Sequence, residues 1–237
     1  SSGRNWGAAS AGAAGSVKDT ITKRQIADQT TFDPYKSADQ NSWELMYDIY
    51  DTLFREEADG SYVPNLCTEY SFNEDGTELT MKLVEGVKFQ NGDVMTVDDV
   101  VFSLNTSIAS SFTTKFTSSM KEAVKVDDNT VKLVLKYAYA PVIGSLVNAT
   151  TSIVPKRVYE ADPEGFAQNP VGSGPYMLKE VVKGEKYVFE AFPDYFRGEA
   201  SIKNMICRVI PDNNAALMAL ESGELDVMQP NQDYSDR

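Results

Sequence analysis

Adjacent carboxylates are the residues in this sequence that could most directly bind a metal ion or transfer a proton. They occur as four pairs, at Glu56-Glu57, Glu74-Asp75, Asp98-Asp99 and Asp127-Asp128. Three pairs flank predicted turns, and one lies in the first turn of a predicted helix, where carboxylates interact favourably with the helix dipole. None has the one-residue spacing of a calcium-binding loop. We therefore expect solvated or capping roles for all four pairs and no metal site.

The glycine-rich stretch NPVGSGPYML, residues 169–178, is a second candidate for chemistry. A phosphate-binding loop needs converging backbone N–H groups, followed by Lys and Ser or Thr at a helix start. Here Gly174 is followed by Pro175, which has no N–H, and the next residues favour a strand. The stretch instead predicts a structural joint, in which Gly172 and Gly174 adopt unusual φ angles on either side of Ser173.

The composition disfavours several functional classes. The sequence has no histidine, which removes Ser-His-Asp and Cys-His nucleophiles, histidine-ligated zinc and the usual general base. We expect neither catalysis nor a cofactor, although chemistry by Lys, Asp, Glu or Tyr stays open. The net charge of −13 argues against nucleic acid as a partner. Cys67 and Cys207 lie in apolar runs, which predicts buried thiols, and a disulfide between them stays open.

A polar turn, Asp39-Gln40-Asn41-Ser42, precedes a stretch of apolar residues with helical spacing. Asn41 with Glu44 three residues later predicts a capping box. One face of the helix should be apolar, formed by Trp43, Met46, Tyr47, Tyr50, Leu53 and Phe54. The free N–H groups of such a helix start can also bind a carboxylate or a carbonyl oxygen. Plain capping and ligand binding both stay open for this turn, and Trp43 could add a stacking surface.

Residues 62–166 read as an α+β unit. ELTMKLV alternates with Leu79, Met81 and Leu83 facing inward, and VKVDDNTVKLVLK reads as a hairpin. Between them, Thr96 is the predicted cap of a helix with an apolar face formed by Val97, Val101, Leu104 and Ile108.

Beyond the joint, YMLKEVVKG, EKYVFEAF and KNMICRVIP predict three strands. The next helix should carry Leu217 and Leu220 on one face and end at Gly223. ELDVM reads as one more strand, in which we expect Asp226 to fix the backbone. At the other end of the chain, residues 1–17 are rich in Ala, Gly and Ser and predict a flexible tether.

In order along the chain, these motifs resemble bacterial extracellular solute-binding proteins of family 5, the oligopeptide- and dipeptide-binding class of ABC importers. The likeness rests on YDTLF at 50–54, on the run from VPNLCTEYSF to VVFSL at 63–104, on the joint, and on FPDYFRGEASIKNMICRVIPDNNAALMALESGELDVM at 192–228. Members of this family are about twice as long and bind ligand between two lobes that close by hinge motion.

The resemblance implies an α/β fold of the type II periplasmic-binding-protein kind, and this chain resembles lobe one of the two-lobe clamshell. Its central subdomain would be discontinuous, at 18–61 and 167–237. An inserted α+β subdomain would occupy 62–166. In peptide binders of this class the acidic residue that holds the peptide's amino terminus comes from the second lobe, so that role is assigned to no residue here.

The resemblance also implies a function, the capture of an oligopeptide, a dipeptide or a similar small solute and its delivery to ABC permease subunits. The implied location is extracytoplasmic, in the periplasm or on the outer face of the bacterial cytoplasmic membrane. Residues 1–17 resemble the spacer that follows a lipidated cysteine, so the parent protein would carry a lipid anchor. Pro230 and Asn231 would lie at the hinge, and the expected ligand contacts are Asp39, Gln40, Asn41, Ser42, Trp43 and, by rough alignment, Phe116.

Two other classes stay open at this point. One is a surface receptor of the same fold that signals to a partner rather than transporting a solute. The other is an extracellular hydrolase, against which the absence of histidine counts.

Overall fold

The structure is a computed structural model that describes residues 18–228. The predicted tether at 1–17 and the predicted hinge residues Pro230 and Asn231 lie outside the described residues. In chain order the elements are β1 (Thr20–Gln25), α1 (Gln40–Ile49), β2 (Phe54–Glu56), β3 (Tyr62–Pro64), β4 (Cys67–Phe72), β5 (Glu78–Leu83), α2 (Val97–Ala109), α3 (Thr114–Thr117), β6 (Met120–Asp127), β7 (Thr130–Leu135), α4 (Val142–Ser145), α5 (Lys156–Ala161), α6 (Pro163–Phe166), β8 (Tyr176–Val182), β9 (Lys186–Ala191), β10 (Asn204–Val209) and α7 (Asn213–Ser222), with short 3₁₀ helices at Pro34–Lys36 and Ala149–Thr151.

The first sheet joins the two ends of the described chain. Its strand order is β1-β10-β9-β8, with β1 parallel to β10 and the other pairs antiparallel. Along β9, the side chains of Tyr187, Phe189 and Ala191 are buried and alternate with more exposed neighbours, as expected for a strand with one core face. Thus β1, which precedes residues 62–166, and the strands β8, β9 and β10, which follow them, form one sheet.

The second sheet is antiparallel and has the order β4-β5-β7-β6. Leu79, Met81 and Leu83, which the alternation of the sequence predicts to face inward, are buried. The predicted hairpin is also present, since β6 and β7 are joined by a tight turn in which Asp127 pairs with Thr130. Helix α2 packs across this sheet.

Each sheet has its own hydrophobic cluster. Cys67 belongs to the cluster of the second sheet and Cys207 to that of the first. Both cysteines are buried thiols, as predicted, and the two do not form a disulfide. Val154, Tyr159 and Phe166 pack with the first cluster. The division of the chain at residues 61 and 166 stays a proposal.

The start and the end of α1 differ from the prediction. Asp39, not Asn41, is the N-cap, because its carboxylate accepts a hydrogen bond from the backbone N–H of Ser42 at 3.0 Å. The helix ends at Ile49, and Tyr50 is already extended. Leu53 and Phe54 are buried beyond the helix, so they do not continue its face.

The buried face of α2 is rotated relative to the predicted face. Thr96 forms the predicted cap, in a capping box with Asp99, but Val101 and Ile108 are only half-buried. Two serines take their place in the core. Ser107 donates to the carbonyl of Thr150 at 2.6 Å, and Ser103 accepts from the N–H of Val154 at 2.9 Å, so the helix is held to the loop before α5 by polar groups.

Helix α7 ends at Gly223 as predicted, with a left-handed φ of 85°, but its predicted apolar face is only partly right. Ala216 and Ala219 are the buried residues of α7, and Leu220 packs half-buried against them, whereas Leu217 is 47% exposed.

ELDVM forms a single bridge, from Val227 to Lys23 on the outer edge of β1, rather than a strand. The predicted role of Asp226 in fixing the backbone is confirmed. Its carboxylate accepts from the N–H of Thr22 at 2.8 Å and pairs with the ammonium group of Lys18.

Candidate functional site

The polar turn before α1 is organised by its own side chains. The carboxylate of Asp39 accepts from the hydroxyl of Thr30 at 2.6 Å and from the hydroxyl of Ser42 at 2.9 Å. The buried hydroxyl of Ser42 in turn accepts from the N–H of Thr30 at 2.9 Å. Asp39 and Ser42 therefore fix the conformation of the turn, which makes capping the observed role of these two residues.

Gln40 and Asn41 occupy the first turn of the helix. The side chain of Gln40 is exposed and donates to Glu44 at 2.7 Å, and the carbonyl of Asn41 accepts from buried Gln25 at 2.6 Å. Among residues 18–228, the backbone N–H groups of Gln40 and Asn41 have no hydrogen-bond acceptor. These two N–H groups are available to an anion or a carbonyl oxygen.

Trp43 and Phe116 come together although 73 residues separate them. Their rings meet edge to face, with centroids 5.5 Å apart, and both side chains are half-buried. The indole N–H of Trp43 donates to the hydroxyl of Ser37 at 3.0 Å. The ammonium group of Lys115 lies 5.6 Å from the centroid of the Phe116 ring. Helices α1 and α3 thus form an aromatic pair, and one of its rings belongs to the same helical turn as the N–H groups of Gln40 and Asn41.

The joint has a different physical basis from the predicted one. Neither Gly172 nor Gly174 has a positive φ. A Cβ atom on Gly174 would lie 2.5 Å from the carbonyl carbon of Ile49, and one on Gly172 would lie 2.6 Å from the ring of Tyr50. Glycine is therefore required because the joint lies directly against the C-terminal end of α1. The N–H of Gly174 donates to the carbonyl of Ile49 at 2.8 Å, so it is not available to a phosphate.

Ser173 connects the joint to a buried carboxylate, Asp51, which the sequence did not single out. Asp51 accepts from the hydroxyl of Ser173 at 3.0 Å, from the amide of Asn65 at 3.3 Å and from the hydroxyl of Tyr195 at 3.2 Å. Burial raises the pKa of Asp51 to about 6, although the three donors oppose the shift. The guanidinium group of Arg197 reaches this network through Asn65, at 2.9 Å.

Gln90, in the segment between β5 and α2, is hydrogen-bonded to the same joint. Its side-chain amide donates toward the carbonyls of Ile49, Gly174 and Tyr176 at 3.1, 3.1 and 2.9 Å, and its side-chain oxygen accepts from the N–H of Gly172 at 3.2 Å. Nothing in the local pattern of the sequence distinguishes Gln90 or Asp51, since their partners lie up to 144 residues away.

A buried ion pair joins α1 to β1. The ammonium group of Lys23 on β1 lies 3.2 Å from the carboxylate of Asp48 on α1, with side-chain exposures of 0% and 1%. The sequence indicates the burial of Lys23 only through the alternation of β1, since Lys23 lies between Ile21 and Gln25 on the buried face of the strand.

The four acidic pairs do not form a metal site. Within residues 18–228 no cluster of three or more His, Cys, Asp or Glu side chains could hold a metal ion. Asp99 caps α2, and Asp75 and Asp127 accept hydrogen bonds from their own turns, as predicted. Over the same residues, no helix combines the length and the apolar character needed to cross a bilayer.

Together these features define a lobe of the type II periplasmic-binding-protein fold. Residues 61–236 match the family described as "Bacterial extracellular solute-binding proteins, family 5 Middle". The chain belongs to this family.

Individual relatives agree with this assignment. The chain is 29% identical over 222 residues to the probable D,D-dipeptide-binding periplasmic protein DdpA of Escherichia coli (strain K12), an alignment that covers 89% of this chain and 43% of DdpA. The structure of AppA from Bacillus subtilis in complex with a nonapeptide matches with a TM-score of 0.79 and 26% identity, over 92% of this chain and 45% of AppA. MoaA from A. tumefacien R10, in complex with mannopinic acid, matches with a TM-score of 0.81 and 28% identity, over 89% of this chain and 44% of MoaA. The chain thus spans less than half the length of these relatives.

Proposed function

We propose that this chain is the ligand-binding lobe one of an extracytoplasmic solute-binding protein that serves an ABC importer. The parent protein captures a peptide or a similar small solute and delivers it to the permease subunits. Support comes from the family assignment and from the relatives, among which DdpA is described as a dipeptide-binding protein and AppA is complexed with a nonapeptide. Location in the periplasm or on the outer face of the membrane, with an N-terminal lipid anchor, belongs to the same proposal.

The observation that carries the site proposal is the aromatic pair Trp43–Phe116, because Trp43 belongs to the first turn of α1, in which the N–H groups of Gln40 and Asn41 donate no hydrogen bond within the described part of the chain. The N–H groups suit a carbonyl or carboxylate oxygen of the solute, and the aromatic pair suits an apolar side chain. Asp39 and Ser42 position these groups. In the same proposal, the joint at 172–174 lies at the boundary of the cleft. Pro230 and Asn231 lie at the hinge.

Ligand binding closes such a clamshell because the closed state has the higher affinity for the solute. A binding pocket normally encloses most of its ligand, so one lobe alone should bind with low affinity. We therefore expect dissociation constants in the range of about 0.1–1 mM for this chain.

The test uses tryptophan fluorescence. The chain has two tryptophans, Trp6 and Trp43, so Trp6→Phe leaves Trp43 as the sole reporter. In this background we expect a saturable change on titration with a panel of di- to nonapeptides, and loss of binding in Phe116→Ala, measured by calorimetry. Tyr70→Ala, which removes an exposed ring from β4, at the opposite edge of the second sheet from β6 and therefore from the strand that follows α3, is the matched control and should bind like the parent.

Native mass spectrometry of the purified chain provides an independent measurement. A co-purified peptide lost in Phe116→Ala would support the site. Peptide binding that is unchanged in Phe116→Ala would overturn the placement of the site, and no binding of any peptide by either method would overturn the proposal that lobe one binds the solute by itself.

A further inference from the structure

A groove of about 720 Å³ runs along the outward side of α2 and is separate from the site proposed above. Helix α5 and the 3₁₀ helix at Pro34–Lys36 form its walls. None of Asp39, Gln40, Asn41, Ser42, Trp43 and Phe116 lines it. We call it the α2 groove and define it by Lys36, Val101, Phe102, Ala109, Phe112 and Lys156.

The floor of the α2 groove is apolar and partly aromatic. Phe102 is half-buried, and its ring packs against Tyr159 with centroids 5.7 Å apart. Val101, which the sequence predicts to be on the buried face of α2, lies half-buried in the groove instead. Phe112 stands at the rim and is 55% exposed. The volume falls within the range of roughly 300–1,000 Å³ found for small-molecule sites.

The polar side chains of the floor already have partners within the protein. The amide of Asn105 makes two hydrogen bonds with the backbone of Ala123, at 2.9 and 2.8 Å. The hydroxyl of Thr106 donates to the carbonyl of Phe102 at 2.7 Å, and that of Tyr159 donates to Asp33 at 2.6 Å. A sugar or an extended peptide would therefore find few hydrogen-bonding partners along the floor, whereas a hydrocarbon chain needs none.

The charge of the groove is opposite in sign to that of the protein. Two exposed lysines, Lys36 and Lys156, line it, and Asp98 is the one carboxylate among its lining residues. Within the described chain neither lysine has a carboxylate within 4 Å of its ammonium group. The backbone of Lys156 is tied to the carboxylate next to Asp98, because its N–H donates to Asp99 at 2.9 Å, and the carboxyl that interacts electrostatically with Lys36 is the buried Asp33.

We propose that the α2 groove is a second ligand site, which takes a small amphipathic carboxylate. The hydrocarbon part lies on Phe102 and Phe112, and the carboxylate pairs with Lys36. Charge complementarity selects an anionic head group in a protein whose net charge of −13 repels anions elsewhere. This inference does not depend on the proposed peptide-binding function.

The test is a titration of the isotope-labelled chain with sodium decanoate at monomeric concentrations, followed by amide chemical shifts. We expect saturable shifts of the amides in α2, at Phe112 and at Lys36. Decyltrimethylammonium, which has the same hydrocarbon length and the opposite charge, should produce no saturable shifts there. Ala109→Trp, at an exposed position on the groove, should abolish the decanoate response by filling the site.

Lys36→Gln should weaken decanoate binding about twofold to fivefold, the upper part of the range expected for loss of an exposed charge pair. Lys183→Gln removes an exposed charge from the β8–β9 turn and is the matched control that should bind like the parent. The amide spectrum of each variant shows whether it is folded. The proposal is overturned by the absence of saturable shifts in the groove, by equal binding of the cationic analogue, or by equal weakening in Lys36→Gln and Lys183→Gln.

Discussion

The two sheets of this lobe bury different kinds of side chain. The core of the second sheet consists of apolar residues such as Leu79, Met81 and Leu133. In contrast, every Asp, Lys and Arg that is buried in the described chain falls within residues 18–51, on β1, on α1 or in the loops that follow them: Lys23, Arg24, Asp33, Asp48 and Asp51.

The two kinds of core therefore contribute to the structure in different ways. Apolar packing is not directional, and cores tolerate exchanges of similar volume. A buried charge is costly unless its partners have a defined geometry, so it restricts the chain to one arrangement. Among these groups, the Lys23–Asp48 pair contacts α1 and Asp51 contacts the joint, and these are the elements that position the proposed ligand site. The second sheet supplies stability that depends less on individual residues.

The largest effect is expected from Asp48→Ala, which leaves the ammonium group of Lys23 buried without the carboxylate 3.2 Å away. We expect the free energy of unfolding to fall by about 3–5 kcal/mol. Urea denaturation followed by circular dichroism measures this loss. Met81→Leu, at a fully buried position of the second sheet, is the control and should cost less than about 1.5 kcal/mol. Equal losses in the two variants would refute the contrast between the two cores.

Gly174→Ala should have the next largest effect. The added Cβ would lie 2.5 Å from the carbonyl carbon of Ile49, so α1 or the joint must move. We expect a loss of about 3 kcal/mol in the same urea measurement, the upper end of the usual cost of overpacking. Gly184→Ala, at a φ of 78° and with open space around it, should lose only about 1 kcal/mol. If the order of the two losses is reversed, close packing is not what requires glycine at the joint.

The third prediction concerns pH. The pKa of Asp51 is about 6 in the folded chain and 3.8 in the reference state, so the folded chain keeps a proton that the unfolded chain releases. This group therefore contributes to the free energy of unfolding below pH 4, and about 2 kcal/mol of that contribution is lost as the pH rises from 4 to 6.

Asp51→Asn, which imitates the protonated form, should remove this component from the pH dependence of urea unfolding between pH 4 and 6. Asp75→Asn is the control, since Asp75 is exposed in a turn of the second sheet and its pKa is lowered by hydrogen bonds from Thr77. If Asp51→Asn leaves the pH profile unchanged, the pKa of Asp51 is not raised in the folded chain and the prediction is refuted.

The smallest effect is expected from the aromatic contact. A double-mutant cycle of Trp43→Ala and Phe116→Ala should give a coupling energy of about 1 kcal/mol. The cycle of Tyr137→Ala and Tyr139→Ala is the control, because these rings also meet edge to face, at 6.0 Å, but are exposed. Their coupling should be smaller, about 0.5 kcal/mol. Equal coupling in both cycles would show that the half-buried pair is not specially stabilised.

The fold was largely predictable from sequence where local patterns act alone. Leu79, Met81 and Leu83 alternate, and Thr96 caps α2, because strand period and capping are properties of a few neighbouring residues. The family motifs also predicted the lobe. The exposed and buried faces of α2 were less predictable, since Ser103 is buried through a hydrogen bond with Val154, 51 residues away.

The candidate site was predictable in part. The turn at Asp39 and the ring of Trp43 were identified, but the choice of Asp39 over Asn41 as the cap is made by Thr30, whose hydroxyl contacts the carboxylate. Both residue types are good caps, so local preference could not decide. Asp51 and Gln90 left no local signal, because their roles arise only when distant parts of the chain meet.

Gln90 has a consequence for the order in which the lobe opens. A single side-chain amide has two hydrogens, yet it faces three carbonyls, of Ile49, Gly174 and Tyr176. Loss of this side chain therefore weakens the hydrogen bonding at the end of α1, in the joint and in β8 at the same moment, which couples the opening of the three. In hydrogen exchange, the amides of Gly172 and Gly174 should therefore open together with α1 as one cooperative unit.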